Sequence, residues 1–220
     1  MRFPSLRSAG RDLALKLEAH RKANDVIVLG IALGGVPVAY EVAKYLSVPL
    51  DLVIIRRLLA PQGPGSQTCA VNIAGSMVID EELLPRPTVP STPLDHFLAD
   101  AIAELSLREQ ICRRGRPPIN LAGKTVILVD CGIRTGLTMR AAIGALRTKE
   151  PAQIIAAVPV ASHEGSTPVE RLADDLIFLF QPQPFGHVGL SYVDFSRPGN
   201  DLVGELLEPA SRRNEAGMGL

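Results

Sequence analysis

The sequence predicts an α/β protein with a mainly parallel five-stranded sheet and helices on both faces. Three observations indicate this class. Short β-branched apolar runs recur along the chain, amphipathic segments lie between them, and glycine-rich turns follow two of the runs. Strands that alternate with helices are typical of βαβ units, whose parallel strands are buried on both faces. We expect the 220 residues to form a single domain, residues 1–220.

The first quarter of the chain predicts a helix and then a strand–turn–helix unit. Leucines among charged residues predict a helix over residues 11–22. The run DVIVLG, residues 25–30, predicts a buried strand. This strand continues through the glycine turn IALGG into residues 36–46, where apolar residues recur at helical spacing. A second buried strand, PLDLVIIRR, is predicted over residues 49–57.

The middle of the chain, residues 57–93, is predicted to contain a mobile loop and an irregular insert. LLAPQGPGSQT, residues 58–68, is rich in glycine and proline and is typical of a loop. Residues 70–80 predict a strand or a hairpin, whereas the prolines of residues 81–93 disfavour regular structure. A long amphipathic helix is predicted over residues 93–114.

The second half of the chain continues the alternation. GKTVILVD, residues 123–130, predicts the third strand, and residues 137–149 predict the helix after it. A fourth strand, a short helix and a fifth strand are predicted at residues 153–161, 168–175 and 176–180. The C-terminal segment, residues 181–220, is rich in proline and glycine, and we predict that it forms a hood or an interface at the end of the sheet. We also expect a homodimer.

Composition narrows the possible functions. The formal net charge is zero, which disfavours the strong positive field of a nucleic-acid-binding protein. We predict no membrane segment, because no run of about 18 apolar residues occurs. The N-terminus lacks the apolar core of a signal peptide, and the three cysteines lack zinc or disulfide spacing, so we expect a cytoplasmic protein.

Two glycine turns are predicted at the same edge of the sheet, where ligands of parallel α/β sheets bind. The second turn, within VILVDCGIRTGLT (residues 126–138), has Thr135, Gly136, Leu137 and Thr138 directly before a helix. Glycine lets backbone amides approach an anion, threonine adds hydroxyl groups, and the helix N-terminus adds positive potential. These features predict a phosphate-binding loop, with a ligand-free helix cap as the alternative.

Other site types are disfavoured. The chain contains neither GxxxxGK[ST] nor GxGxxG, so a Walker-type ATPase and a dinucleotide site are not indicated. Its histidines share no metal-binding spacing. Cys131 precedes a helix and could be a reactive thiol, but the interpretation as a small buried residue is favoured.

The motifs together resemble the type I phosphoribosyltransferase family. VILVDCGIRTGLT resembles that family's motif for phosphoribosyl pyrophosphate (PRPP), in which an apolar strand leads into two acids and a T-G-x-T loop. A bacterial subgroup reads LGLPRGGVPVA, VRKLGAP, VDDGIATGAT and Y-x-D-F. Here the corresponding segments are LGIALGGVPVA, IRRLLAP, VDCGIRTGLT and SYVDF, in the same order over nearly the whole chain.

The resemblance implies the type I phosphoribosyltransferase fold and a site divided among the loops. The two acid positions would hold the ribose hydroxyls, and the T-G-x-T loop would hold the 5-phosphate. The IALGG turn would hold the pyrophosphate. Mg²⁺ would be held mainly by PRPP rather than by protein side chains. The implied substrate-binding residues are Asp130, Cys131, Gly132, Arg134, Thr135, Gly136, Leu137 and Thr138. The implied pyrophosphate-loop residues are Ala32, Leu33, Gly34, Gly35, Arg56 and Arg57. Tyr192 or Phe195 would stack on a base, or pack in the core.

The sequence departs from the family at three of these positions, and in the following mobile loop the run GPGSQT stands in place of an expected acid. Cys131 stands in place of the second acid, Leu33 in place of a loop arginine, and Ala32 in place of a proline. A charge-assisted hydrogen bond is worth about 1.5–3 kcal/mol, so each lost ionic contact should weaken activity. Arg134 adds a cation within the phosphate loop. Three hypotheses therefore stay open. The first is a pentosyl transferase of nucleotide metabolism with weak or altered activity. The second is a non-catalytic phosphate- or nucleotide-sensing or regulatory module with a vestigial site, and the third is a structural or partner protein whose site is vestigial.

Overall fold

The structure, a computed structural model, describes residues 2–59, 67–72, 77–79 and 91–216. The described residues form eight strands: β1 (Val26–Ile31), β2 (Leu50–Val53), β3 (Ile55–Leu59), β4 (Gln67–Asn72), β5 (Met77–Ile79), β6 (Thr125–Val129), β7 (Gln153–Val160) and β8 (Asp175–Phe180). They also form six α-helices: α1 (Leu6–Lys16), α2 (Gly35–Leu46), α3 (Ser91–Arg113), α4 (Leu137–Arg147), α5 (His163–Glu170) and α6 (Asn200–Ala216). Short 3₁₀ turns occur at Glu18–His20 and Val188–Ser191.

A five-stranded sheet in the order β2-β1-β6-β7-β8 forms the centre of the protein. All four strand pairings are parallel, which confirms the predicted α/β class and the five-stranded parallel sheet. β1 and β6 are neighbours, with Gly30 opposite Val129 near their carboxyl ends. The turns that follow β1 and β6 therefore lie side by side at one edge of the sheet.

Helices cover both faces of the sheet, as predicted. One core packs α1, α2 and α6 on the first face and contains Leu13, Val42 and Val203. The other core packs α4 and α5 on the second face and contains Ile143 and Val169. The central strands β1, β6 and β7 are buried almost throughout, which explains their continuous apolar runs.

The predicted second strand, residues 49–57, is wrong as a single element. It splits after Val53, and β3 begins at Ile55 in a separate three-stranded antiparallel sheet, β3-β4-β5. The apolar run continues across the break because Leu52, Ile54 and Ile55 are all buried, so the sequence pattern does not reveal where β2 ends. β4 and β5 form the hairpin that residues 70–80 predicted. The predicted loop and the irregular insert lie largely outside the described residues.

Three helix predictions need correction. α1 begins at Leu6, not at residue 11, because Ser5 and Ser8 form a reciprocal capping box. α5 begins at His163, not at residue 168, because the Ser162 side chain caps it. α6 lies within the C-terminal segment, where no helix was predicted, and it contacts α2 and α3. A single domain over residues 1–220 and the role of the C-terminal segment as a hood stay predictions.

A buried ion pair joins the end of α3 to the sheet. Arg113 Nη1 lies 2.6 Å from Asp51 Oδ1 on β2, and Arg113 Nε lies 2.6 Å from Glu109. Asp51 also accepts hydrogen bonds from the N–H groups of Leu52 and Ile119. Position alone suggests that Arg113, like Arg114 beside it, is a solvated helix end, but Arg113 is buried.

Within residues 2–59, 67–72, 77–79 and 91–216, no helix combines the length and the apolar composition needed to cross a bilayer. The longest described helix, α3, carries charged side chains along its length.

Candidate functional site

A cavity of about 410 Å³ opens at the carboxyl ends of β1 and β6. The predicted residues that line it are Ala32, Leu33, Gly34, Arg56, Asp130, Cys131, Gly132, Arg134, Thr135, Gly136, Leu137 and Thr138. The structure thus brings the two glycine turns together around one space. Gly35 lies behind the cavity wall, where a methyl group on it would come within 2.6 Å of the Val129 carbonyl oxygen. The Arg57 side chain lies outside the described residues.

The loop between β6 and α4 turns sharply at Gly136, directly before the first turn of a helix. Gly136 adopts a left-handed conformation with φ of 74°, and α4 begins at the next residue. The first N–H groups of a helix have no carbonyl one turn earlier, so they point toward solvent or a ligand. Thr135 is exposed and Thr138 half-buried, while the Leu137 N–H is 3.5 Å from Thr135 Oγ1. The loop offers hydroxyl and amide donors to the cavity.

Residues at the start of α5 hold the loop between β6 and α4 in place on the side away from the cavity. Ser162 Oγ accepts a 2.9 Å hydrogen bond from the Gly165 N–H and donates one to the Arg134 carbonyl oxygen. The backbone of Ile133 bonds to Val160 at 2.9 Å and to Ser162 at 2.8 Å. The loop and the helix approach so closely that a methyl group on Gly136 would lie 2.6 Å from the Gly165 carbonyl oxygen. Ser162 and Gly165 could not be selected from the sequence, because they support the loop only by packing against it and belong to no motif.

The β1 turn forms the opposite wall. Its peptide between Ala32 and Leu33 is cis, and the Ala32 N–H donates to the Val53 carbonyl oxygen at 3.0 Å. A methyl group on Gly34 would lie 3.2 Å from Cys131 Sγ, so the two turns are in close contact. Leu33 is half-buried and lines the cavity. This wall therefore presents backbone and apolar groups, without a charged side chain of its own.

Asp130 and Cys131 occupy different environments although they are adjacent. Asp130 is partly exposed in the cavity, and its Oδ1 accepts a 2.7 Å hydrogen bond from the Cys131 N–H. Cys131 is only 5% exposed. Burial, followed by the Asp130 charge, raises the pKa of its thiol well above the ordinary value, while Arg197 opposes that rise. The interpretation of Cys131 as a small buried residue is confirmed.

The C-terminal segment is attached to the same position. Tyr192 is buried, and its hydroxyl donates a 2.6 Å hydrogen bond to the Cys131 carbonyl oxygen. Its ring packs against Phe3 and Phe195, at centroid distances of 5.8 and 5.1 Å. Burial raises the pKa of the Tyr192 hydroxyl, which keeps it protonated as a donor. Tyr192 was predicted either to stack on a base or to pack in the core, and the structure shows that it packs in the core.

Two arginines that sequence reasoning did not select also line the cavity. Arg108 comes from α3 and Arg197 from the segment before α6. Glu104 on α3 forms ion pairs with Arg108, at 3.2 Å, and with Arg56. Only the approach of distant segments brings these side chains to the cavity, and no local motif marks them. Together with Arg56 and Arg134 they make the cavity cationic, although the chain is neutral overall.

The chain matches one protein family over most of its length. The family model described as "Phosphoribosyl transferase domain" matches residues 4–193. Two Mycobacterium tuberculosis proteins, named "Putative phosphoribosyl transferase Rv0571c" and "Putative phosphoribosyl transferase MT0597", are each 34% identical over 210 residues. The match covers 96% of this chain but 47% of each relative, so the chain spans about half the length of these curated relatives.

One solved structure is similar to this chain in both sequence and fold. The crystal structure of the protein TT1426 from Thermus thermophilus is 35% identical in sequence and superimposes with a TM-score of 0.78. The alignment covers 94% of this chain and 98% of the Thermus chain. The similarity therefore extends over most of both chains.

Proposed function

The chain belongs to the phosphoribosyltransferase family and has the type I fold, and on that premise we propose that it binds PRPP or a ribose 5-phosphate in the cavity at the ends of β1 and β6. The observation that carries this proposal is the open loop from Thr135 to Thr138, which faces the β1 turn across that cavity. If the protein is active, it transfers the phosphoribosyl group to a base or a small nucleophile.

Each part of PRPP can be assigned to one group of residues around the cavity. The amides and hydroxyl groups of residues 135–138 suit the 5-phosphate, because they combine a tight glycine turn with a helix N-terminus. The Asp130 carboxylate suits the ribose hydroxyls, since it is partly exposed on the same loop. The β1 turn, residues 32–35, suits the pyrophosphate. The ligand would span the cavity from one turn to the other.

Magnesium would enter with the ligand. Within the described ranges, no group of three His, Cys, Asp or Glu side chains could hold a metal ion. The one carboxylate that lines the cavity among the described side chains is Asp130. Mg²⁺ commonly combines one or two carboxylates with substrate phosphates and water, so Asp130 fits a magnesium–diphosphate complex. When bound, the ion would neutralise the charge of the diphosphate.

Transfer would break the bond between ribose C1 and a pyrophosphate oxygen and form a bond from C1 to the nucleophile. Positive charge develops on the sugar in the oxocarbenium-like transition state, and the Asp130 carboxylate would stabilise it. Negative charge develops on the departing pyrophosphate, which needs cations. Because Cys131 is a buried thiol and Leu33 is apolar, we expect lower activity than in relatives with an acid and an arginine at these positions.

The same two positions favour a second candidate function, a phosphate- or nucleotide-sensing module without catalysis. Neither Cys131 nor Leu33 can provide charge to a sugar or a leaving group, whereas the 135–138 loop is intact. Such a protein would bind ribose 5-phosphate or a nucleoside monophosphate without turnover. The two candidates differ in catalysis and share the ligand.

Isothermal titration tests the proposal. We expect saturable binding of PRPP with Mg²⁺, of ribose 5-phosphate and of at least one nucleoside monophosphate. Release of pyrophosphate from PRPP in the presence of purine or pyrimidine bases would favour the enzyme, and binding without release would favour the sensor. If none of these compounds produces heat or thermal stabilisation, the ligand proposal is wrong.

A further inference from the structure

The two edges of the five-stranded sheet differ, and the edge formed by β2 is covered. The outward backbone groups of Leu52 on β2 already have partners. The Leu52 N–H donates a 2.7 Å hydrogen bond to Asp51 Oδ1, and the Leu52 carbonyl oxygen accepts one of 3.2 Å from Arg113 Nη2. Helix α6 also contacts β2. Another strand therefore cannot pair with β2 unless these contacts are broken.

β8 forms the other edge, and its pairing with β7 fixes which of its backbone groups point outward. The Phe180 carbonyl oxygen accepts a 3.2 Å hydrogen bond from the Ala161 N–H, so the backbone groups of Phe180 face β7. Because these groups alternate in direction along a strand, the N–H and carbonyl groups of Ile177 and Leu179 face away from β7. In the part of the chain that the structure describes, no strand pairs with this side of β8.

The side chains of β8 are unusual for an edge strand that faces water. Residues 176–180 are all apolar and only half-buried. Exposed edge strands are normally protected by lysine, proline, a bulge or a covering segment. Within the described segments β8 has none of these, since it keeps a single register with β7 and its one charge is Asp175 at its first position. Leu172, 45% exposed in the turn before the strand, extends the apolar surface. This edge is therefore open to pairing with another strand.

We propose that the β8 edge is a homodimer interface, at which two copies of the chain pair antiparallel and join their sheets into one. A second copy fits because a twofold axis at Phe178 places Ile177 of each protomer opposite the partner's Leu179. Each of these pairs exchanges two N–H···O bonds, so the outward groups of both strands are satisfied. In this register Asp175 lies opposite the partner's Gln181, which is uncharged, so pairing brings no two carboxylates together.

The difference between the two edges also determines the size of the assembly. The twofold axis uses the β8 edge of both copies, and the covered β2 edges prevent further growth, so the assembly closes as a dimer. In the sheet, β7 separates β8 from β6, at whose end the ligand cavity lies. The inference is therefore independent of the proposed ligand, and it assigns a surface to the homodimer that the sequence led us to expect.

Amide hydrogen exchange of the wild type over a dilution series tests the interface without any substitution. At high protein concentration, where light scattering should show a dimer, the Ile177 and Leu179 amides should be protected. They should lose this protection when dilution produces the monomer. The Leu176 and Phe178 amides face β7 and should stay protected throughout, so they are the internal control. A chain that is monomeric at every concentration, or a dimer in which the Ile177 and Leu179 amides exchange freely, would overturn the inference.

Leu179→Pro and Leu179→Val form a matched pair of variants for the same question. Both shorten the side chain, but only proline removes the N–H that bonds to the partner, and an edge strand tolerates proline where its N–H faces solvent. Leu179→Pro should weaken the dimer by about tenfold to a hundredfold relative to Leu179→Val, because each dimer loses two hydrogen bonds. Circular dichroism checks the fold of both variants. Equal dimer affinity of the two folded variants would contradict the interface, and hydrogen exchange of the wild type decides the question if Leu179→Pro does not fold.

Discussion

The Tyr192 hydroxyl donates a 2.6 Å hydrogen bond to the carbonyl oxygen of Cys131. This contact links two segments that are 61 residues apart, and it connects the C-terminal segment to the loop that we assign to phosphate binding. Phe3 strengthens the link, because its backbone bonds to Ser191 and Val193 on either side of Tyr192. Both ends of the described chain therefore support the site.

Tyr192→Phe should destabilise the protein although it removes one oxygen only. The Cys131 carbonyl would lose a buried partner, which costs about 1–3 kcal/mol of unfolding free energy. We also expect weaker ribose 5-phosphate binding, because the loop loses one of its fixed points. Urea denaturation and titration measure the two effects. Tyr45→Phe, at a half-buried tyrosine of α2, is the control, and an equal loss in both variants would contradict the assignment.

Gly136→Ala should destabilise the protein and weaken phosphate binding, for two independent reasons. A non-glycine residue in the left-handed conformation costs about 1–2 kcal/mol. The added methyl group would also lie 2.6 Å from the Gly165 carbonyl oxygen. We expect a lower unfolding free energy and loss of phosphate binding, measured by urea denaturation and titration.

Gly144→Ala provides the matched control for this substitution. Gly144 is exposed within the same helix, α4, and a methyl group on it would meet nothing within 4 Å. This substitution should stabilise the protein by about 0.5–1 kcal/mol, because alanine favours a helix over glycine. If both glycine substitutions had the same effect, the special role of Gly136 would be refuted.

Arg113→Gln and Arg114→Gln should differ sharply although the residues are adjacent. Removing Arg113 leaves Asp51 buried without its ionic partner, which costs about 3–5 kcal/mol. Arg114 pairs with Glu208 at 2.6 Å in an exposed position, and its loss should cost less than about 1 kcal/mol. Denaturant unfolding measures both values. Similar small losses would mean that Arg113 is solvated in solution.

Asp174→Asn should make stability less dependent on pH in the acid range. A 2.6 Å hydrogen bond from the Ile154 N–H, followed by the contact with Arg147, holds the pKa of the Asp174 carboxyl below its ordinary value of 3.8. Because the folded pKa is the lower one, the carboxylate stabilises the protein above the unfolded pKa, and this contribution is lost as pH falls through the folded pKa.

We therefore expect Asp174→Asn to lower the unfolding free energy by about 0.5–1 kcal/mol at pH 7, a modest value because both partners are partly exposed. The difference from the wild type should shrink as the pH falls below the unfolded pKa. Thermal unfolding from pH 7 to pH 3 measures it. Asp175→Asn, an exposed neighbour, is the control; a constant difference at every pH would contradict the argument.

The pairing of the two glycine turns could be predicted from the sequence because parallel strands end at one edge of the sheet. The glycine turn directly before α4 also followed from the T-G-x-T pattern. Arg197 and Arg108 could not be found this way, since the path of the C-terminal segment and the rotation of α3 depend on tertiary packing. For the same reason a continuous apolar run concealed the break between Val53 and Ile55.

The central claim is that the backbone of Thr135–Thr138 binds the 5-phosphate of a ribose. Titration of ¹⁵N-labelled protein with ribose 5-phosphate, followed by NMR, tests it most directly. We predict saturable shifts of the Thr135, Gly136, Leu137 and Thr138 amide signals, with little change at Gly144 on the same helix. If ribose 5-phosphate binds and these four signals do not move, the phosphate lies elsewhere and the account of the site is wrong.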